Sequence, residues 1–215
     1  MNNNLYKSIE IQYFGDIYYY LNLINTTYIY FNDGLGHEKG KNWNRTRIMG
    51  ANNLLCLSVP LEGGRSVRVP VKDLRISHRE PWQRIHWRGI HDSYRKSPWF
   101  EEYAPALENI IHQSYHFLWD LNLKTFEWVH KTLGLESVIL SDTTGFNPES
   151  GTDDFIFSAD FPKEGYPVYR QVFSDKLGFV PNLSVLDLIL NEGPMAKEYL
   201  KKLSGFHHEE FSRHK

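Results

Sequence analysis

The spacing of apolar and polar positions changes several times along the chain. Residues 5–13 alternate loosely, with Leu5, Ile9, Ile11 and Tyr13 in phase, which predicts a first strand. After Gly15, Ile17, Tyr20, Leu21 and Ile24 recur at helical spacing. Thr27 to Phe31 is a β-branched and aromatic run ending at the turn signal Asn32-Asp33-Gly34. Strand, short helix and strand in this order predict a crossover unit with parallel strands. Trp43 to Ile48 reads as extended chain, with Trp43, Arg45 and Arg47 on one side and Asn44, Thr46 and Ile48 on the other. Leu54 to Val59 is nearly continuous in apolar residues and predicts a central strand. Val67 to Ile76 is a further extended region, and Pro70 places it at an edge.

Helical spacing takes over at Glu80-Pro81, where proline suits a first turn. The segment Trp82 to Tyr103 gathers Trp82, Trp87, Trp99, His86, His91 and four basic residues. Ile85 and Gly89 share a face with Trp82, His86 and Ser93, while Trp87, Ile90, His91 and Tyr94 make a second, aromatic face. Such a helix is either deeply buried or lines a site. Ser97-Pro98 ends it. Helices follow over 99–115 and 117–133, the latter stopped by Gly134, and then a short strand over 136–140. Residues 141–165 are polar and rich in Asp, Gly and Pro, and predict a lid or a disordered loop. Pro167 to Ser174 reads as extended chain or a short helix, and helices are predicted over 184–189 and 194–203. The fold class expected is α/β, a small mixed sheet with a crossover helix plus a helix-rich half. It forms one domain over 1–205, with a frayed tail over 206–215.

Composition narrows the function classes. Hydrophobic content of 41% and charged content of 23% suit an ordinary globular protein. No basic-then-apolar leader opens the chain and no run is long and apolar enough to span a bilayer, so the expected location is the cytoplasm. The one cysteine, Cys56, lies in an apolar run and reads as a small buried hydrophobe. The net charge of −2 hides an asymmetry: residues 39–96 carry thirteen basic and four acidic side chains. Either an anionic ligand meets this basic third, or it is neutralised across an internal interface.

The glycine-punctuated loop 32–42 is not a phosphate-binding P-loop. Its glycine spacing is wrong and Asn42, not Ser or Thr, follows Lys41. Glu108, His112 and His116 fall at i, i+4 and i+8, but the Glu directly after the first His of a zinc-protease helix is replaced by Gln113. A solvated face is the reading adopted there. No metal and no cofactor is expected.

Five strings carry a resemblance: Tyr13-Phe14-Gly15 with Tyr19-Tyr20; Asn44-Arg45-x-Arg47-Ile48; Leu57-x-Val59-Pro60; Trp82-x-x-x-His86-Trp87 followed by Tyr94, Ser97, Pro98 and Phe100; and Phe179-x-Pro181-Asn182-Leu183-Ser184-x-Leu186-Asp187. In this order and spacing the chain resembles the WbqC-like protein family. The opening departs from the family's pattern, since Ile11-Gln12-Tyr13-Phe14 only approximates a Gln-Pro-x-aromatic start. The resemblance implies a setting in O-antigen or other cell-surface polysaccharide biosynthesis. It also implies a group-transfer role, of aminoacyl or glycyl type in one version, on an activated sugar or its lipid-linked form.

The candidate residues follow from chemistry and from those strings together. His86 is the candidate base, because imidazole titrates near neutrality; the alternative is a core histidine satisfied by hydrogen bonds. Arg45 and Arg47, with Asn44, are candidates to clamp a carboxylate or phosphate, unless they are ordinary surface arginines. Trp82, Trp87 and Tyr94 are candidates to pack against a sugar ring. Asn182, Ser184 and Asp187 form a second polar set. Ser184 or Asn182 either caps the following helix, the preferred reading, or helps its N-terminus receive an anion. The expected partner is an anionic small molecule or sugar phosphate. The contrasting class is a non-catalytic protein that binds a phosphorylated ligand or RNA, with nucleic acid the less favoured partner. Nothing in the pattern sets an oligomeric state.

Overall fold

The computed structural model describes residues 6–32, 43–64, 69–140 and 166–213, with side chains through residue 205. The loops 32–42 and 141–165, apart from Asn32, therefore lie outside the described residues, as does the lid reading of the second. In chain order the elements are β1 (Tyr6–Ile9), α1 (Ile17–Leu21), β2 (Tyr28–Phe31), β3 (Arg45–Met49), β4 (Leu54–Ser58), α2 (Trp82–Tyr94) and α3 (Phe100–His112). They continue with α4 (Leu118–Thr132), β5 (Val138–Leu140), α5 (Ser174–Leu177), α6 (Val185–Glu192) and α7 (Ala196–Arg213).

The fold is α/β, as the periodicity predicts. β1 and β2 pair in parallel from Tyr6↔Tyr28 to Ile9↔Phe31, joined through α1. β5 adds in parallel to the far side of β2, so the strand order is β1-β2-β5. Every residue of α1 is buried, including Tyr18, Tyr19 and Tyr20. A helix apolar all round belongs in the interior, and α1 packs against α6 and α7. Phe126 of α4 anchors it further, stacking on Tyr20 with centroids 5.9 Å apart.

The remaining strands form a separate antiparallel ribbon, β3 with β4, in register from Arg45↔Ser58 to Met49↔Leu54. This corrects the expectation of a central strand over 54–59. A two-stranded ribbon covered on one face buries alternate residues only. Leu57 and Val59 are buried against α2, whereas Leu54 and Cys56 are exposed. The reading of Cys56 as a buried hydrophobe is corrected for the same reason. The described part of 67–76 is also not a strand: Val71–Asp73 is one 3-10 turn, and single bridges join Leu61 to Ile76 and Arg75 to Phe117.

α2 has one buried stripe, not two: Trp82, His86, Ile90, Ser93 and Tyr94, while Ile85 is 54% exposed. The half-buried Trp87 turns toward α3, where its ring stacks on Phe100 at 6.2 Å. α3 ends at His112, so His116 is off the helix face assigned to it; Glu108 and His112 are exposed. No group of three metal-ligating side chains occurs among the described residues. The backbone of α7 remains helical to Arg213, across most of the segment expected to fray. Among the described residues no helix is long and apolar enough to cross a membrane.

Candidate functional site

Three parallel strands put their carboxyl ends at one end of the sheet, the usual place for a site in an open α/β layer. The chain that leaves β1 there, Glu10 to Asp16, meets β3 and the start of α6. Two residues at this meeting adopt left-handed backbone without being glycine, Phe14 at φ 42° and Asn182 at φ 50°. Such strain persists only where surrounding bonds hold it, and it concentrates at functional sites.

The bonds that hold it are specific. The Phe14 carbonyl accepts from Thr46 Oγ1 at 2.8 Å and from Ser184 Oγ at 3.1 Å. The Ser184 amide donates to the Arg47 carbonyl at 2.8 Å, and the Val185 amide to the Gly15 carbonyl at 2.9 Å. At the start of α1, the amides of Ile17, Tyr18 and Tyr19 donate to Leu183 O, Asn182 Oδ1 and Asp16 Oδ1 respectively. The first turn of α1 is therefore closed by the segment that opens α6. Ser184 is the N-cap of α6 and accepts from the Leu186 amide at 3.4 Å. Ser184 thus caps α6, as the capping reading has it, whereas Asn182 acts on the first turn of α1 and not on the helix that follows it.

Asp16 is the titratable group at the centre of this junction. It is half-buried, and desolvation raises its carboxyl above the usual aspartate range. Hydrogen bonds from the Tyr19 amide, the Asn182 side chain and the Tyr18 amide, and the charge of Arg47, oppose that rise without cancelling it. The result is a carboxyl that exchanges its proton nearer neutrality, beside a guanidinium. Arg45 and Arg47 both lie on the exposed face of β3, two residues apart. Neither is taken up in a side-chain hydrogen bond or ion pair among the described residues. Asn44 instead closes the ribbon, its Nδ2 donating to the Val59 carbonyl at 2.7 Å.

His86 lies behind this junction and is 3% exposed. Its Nδ1 is 3.0 Å from the Tyr13 hydroxyl. Burial lowers the ring pKa to about 4, with a backbone hydrogen bond at Ser58 partly opposing the shift. A neutral ring with a partner on Tyr13 and another on Ser58 is a satisfied core histidine. Trp82 packs edge-on against it at 5.2 Å. Tyr13 carries the contact forward, since it directly precedes the strained Phe14.

Asp187 sits in the first turn of α6 and is fully buried. Its carboxylate accepts from Tyr94 at 2.8 Å, Tyr169 at 2.5 Å and Gln171 at 2.8 Å. Burial raises its pKa, and these three donors, Tyr169 first, pull it back. The Tyr94 hydroxyl also accepts from the Met49 amide at 3.3 Å. This network ties α2, β3, α6 and the chain at 169–171 together, so Asp187 and Tyr94 fix the frame of the junction.

The structure therefore gathers Arg47, Asn182 and Ser184 at the junction, with Arg45 two residues along the same exposed face of β3. It places Tyr94 and Asp187 beneath them, His86 and Trp82 behind Tyr13, and Trp87 on the α2–α3 contact. Sequence reasoning missed Asp16, Tyr13, Tyr169 and Gln171. An aspartate directly before a helical run is a cap signal and could have found Asp16; no local signal marks Tyr169 or Gln171.

A family model described as the WbqC-like protein family matches residues 12–159, a span that holds Asp16, the β3–β4 ribbon and α2. The chain is similar to the uncharacterized protein Rv1507c of Mycobacterium tuberculosis, 25% identical over 194 residues, covering 75% of this chain and 82% of that protein. No solved structure matches.

Proposed function

The chain belongs to the WbqC-like protein family, and on that premise we propose that it is a group-transfer enzyme acting on an activated sugar in cell-surface polysaccharide biosynthesis. The observation that carries the proposal is the meeting, at a strained junction, of the raised-pKa carboxyl of Asp16 with the charge of Arg47, with Arg45 two residues away on the same exposed face of β3. In this reading Arg45 and Arg47 hold the phosphate of the donor with planar, multidentate hydrogen bonds. Asp16 receives the proton from the acceptor's hydroxyl or amine as that atom attacks the donor. The bond to the phosphate leaving group breaks, and its electron pair goes to the phosphate, where the guanidiniums offset the new charge. His86, the candidate base from sequence, serves here as a positioning residue: it holds Tyr13, and Tyr13 precedes the strained turn at Phe14.

The test is a thermal-shift and turnover screen of nucleotide sugars, sugar phosphates and aminoacyl donors against the wild type, Arg47→Ala and Asp16→Asn. A ligand that stabilises the wild type and Asp16→Asn but not Arg47→Ala, and is consumed only by the wild type, is the expected result. A ligand that binds through Arg47 but is never consumed would replace the enzyme by a binding protein for a phosphorylated ligand.

A further inference from the structure

α2 and α3 form an antiparallel pair whose outer face takes no part in the junction. Gln83, at the start of α2, donates through Nε2 to the carbonyls of Ile111 and Gln113 at the end of α3, at 2.9 and 2.8 Å. Toward the other end the His91 and Phe100 rings meet edge-on at 5.6 Å. On α2, Arg84, Arg88, His91 and Arg95 recur at i, i+4, i+7 and i+11 and are all exposed. On α3, Glu101, Pro105, Glu108 and His112 recur at the same spacing and are also exposed. That spacing draws each set into one stripe. The buried stripes, Trp82-His86-Ile90-Ser93 and Leu107-Ile110-Ile111, take the inner sides, so both exposed stripes face outward. The two are opposite in charge. α3 carries Glu101, Glu102 and Glu108 with no lysine or arginine. The one acid of α2, Asp92, is taken up by Arg88 at 3.5 Å. Arg84, Arg95, Glu101 and Glu108 make no ion pair among the described residues.

We propose that this face binds a second copy of the chain in a twofold dimer. A basic stripe beside an acidic stripe of equal spacing is its own complement. A twofold axis parallel to the helices lays α2 of one copy on α3 of the other at unchanged height. Gln83 is level with Gln113, so each step along α2 is matched by a step back along α3. Arg88 then meets Glu108 and Arg95 meets Glu101, each pair formed twice, while Arg84 meets His112 and gains nothing. Each helix is about 20 Å long and the two lie about 10 Å apart. The dimer therefore buries roughly 800 Å² in all, below the roughly 1,200 Å² at which stable interfaces begin. It is weak, and charge decides it. α2 meets the ribbon with a different side, where Leu57 Cδ2 would lie 3.3 Å from a Cβ at Gly89. Arg45 and Arg47 occupy the ribbon's exposed face, so dimerisation leaves them open.

The experiment is sedimentation equilibrium, before and after nuclease treatment, at about 0.01 M and about 1 M salt, where the screening length falls from roughly 30 Å to roughly 3 Å. The wild type is expected to dimerise at the lower salt, with a dissociation constant at least tenfold higher at the upper. Two charge reversals address the face: Arg88→Glu with Arg95→Glu, and Glu101→Lys with Glu108→Lys. Each sets like charges opposite one another and is expected to be monomeric where the wild type is dimeric. Mixed in equal amounts, the two restore opposite charges at every pair and are expected to form a heterodimer. All four positions are exposed, and melting curves check the folds. Should a reversal unfold, Arg95→Gln and Glu101→Gln replace it, each expected to raise the dissociation constant severalfold. A wild type monomeric at both salts would overturn the proposal. So would reversal variants that stay dimeric, neutral variants that dimerise like the wild type, or folded reversal variants that do not associate on mixing. Association that vanishes with nuclease would put a nucleic acid in place of the second copy.

Discussion

His86 shows how burial redirects a side chain that the sequence offers for catalysis. Its folded pKa of about 4 lies below the ordinary imidazole value of about 6.5, because burial penalises the charged ring. The neutral form is therefore the one that folding favours. The sign follows: the contribution to stability is fully present above about pH 6.5 and is lost as the pH falls through the folded value near 4. The fall from about 6.5 to about 4 corresponds to about 3 kcal/mol. Asp187 and Asp16, raised by burial, act in the opposite sense, and their contributions fade as the pH rises through their folded values. Urea unfolding of the wild type and His86→Phe between pH 7 and pH 4 separates them. The wild type is expected to lose about 3 kcal/mol more over that range than the variant. An identical pH slope in both proteins would show that His86 is not held neutral by the fold.

At the scale of elements, the contact between α3 and the end of α6 depends on one missing side chain. Gly193 follows α6 with φ 54°, and a Cβ there would lie 2.3 Å from the Trp99 ring. The Trp99 amide donates to the Leu190 carbonyl at 3.2 Å, so the indole is held against that turn by its own backbone. Gly193→Ala therefore meets both backbone strain and a collision. It is expected to lower stability by more than about 2 kcal/mol, the range of strain and overpacking costs. Trp99→Ala combined with Gly193→Ala removes the collision and leaves the strain, so the double variant should cost less than the sum of the singles. Additive costs in a double-mutant cycle would sink this account. The periodicity of α6, α3 and α4 was legible in sequence, but the glycine's partner was not, because Trp99 and Gly193 are joined only by packing.

At the scale of the whole molecule, the basic third is spread over several elements. Arg45 and Arg47 lie on β3, Arg84 and Arg88 on α2, and Arg88 is already paired with Asp92 at 3.5 Å. A small anion held by two arginines releases few counterions, whereas an RNA tracking along such residues releases one for each phosphate neutralised. Pyrophosphate binding followed by calorimetry from 50 to 200 mM salt, roughly the range over which such slopes are read, should weaken with a log–log slope no steeper than about −2. A single-stranded RNA that bound with a slope several-fold steeper would favour a nucleic-acid role. The exposed arginines of β3 were legible from the two-residue repeat of the strand. Their acidic neighbour was not, since Asp16 reaches Arg47 only through the packing of α1 on α6 and of α6 on β3.

What the sequence determined by itself is local. Apolar period set the kind of most described helices and of strands β1 to β5, Gly134 and Ser184 marked ends through turn and cap chemistry, and strand-helix-strand order implied the parallel pair β1–β2. Tertiary structure alone decided how the strands were shared between a parallel sheet and an antiparallel ribbon, since a two-residue period looks alike in both. It also decided the site. The bonds from Tyr18 to Asn182 and from Ser184 to Phe14 span 164 and 170 residues, and left-handed backbone at a phenylalanine or an asparagine has no reliable local signal. Such contacts arise only when distant segments pack, because the energy that stabilises them comes from neighbours that no window of sequence contains.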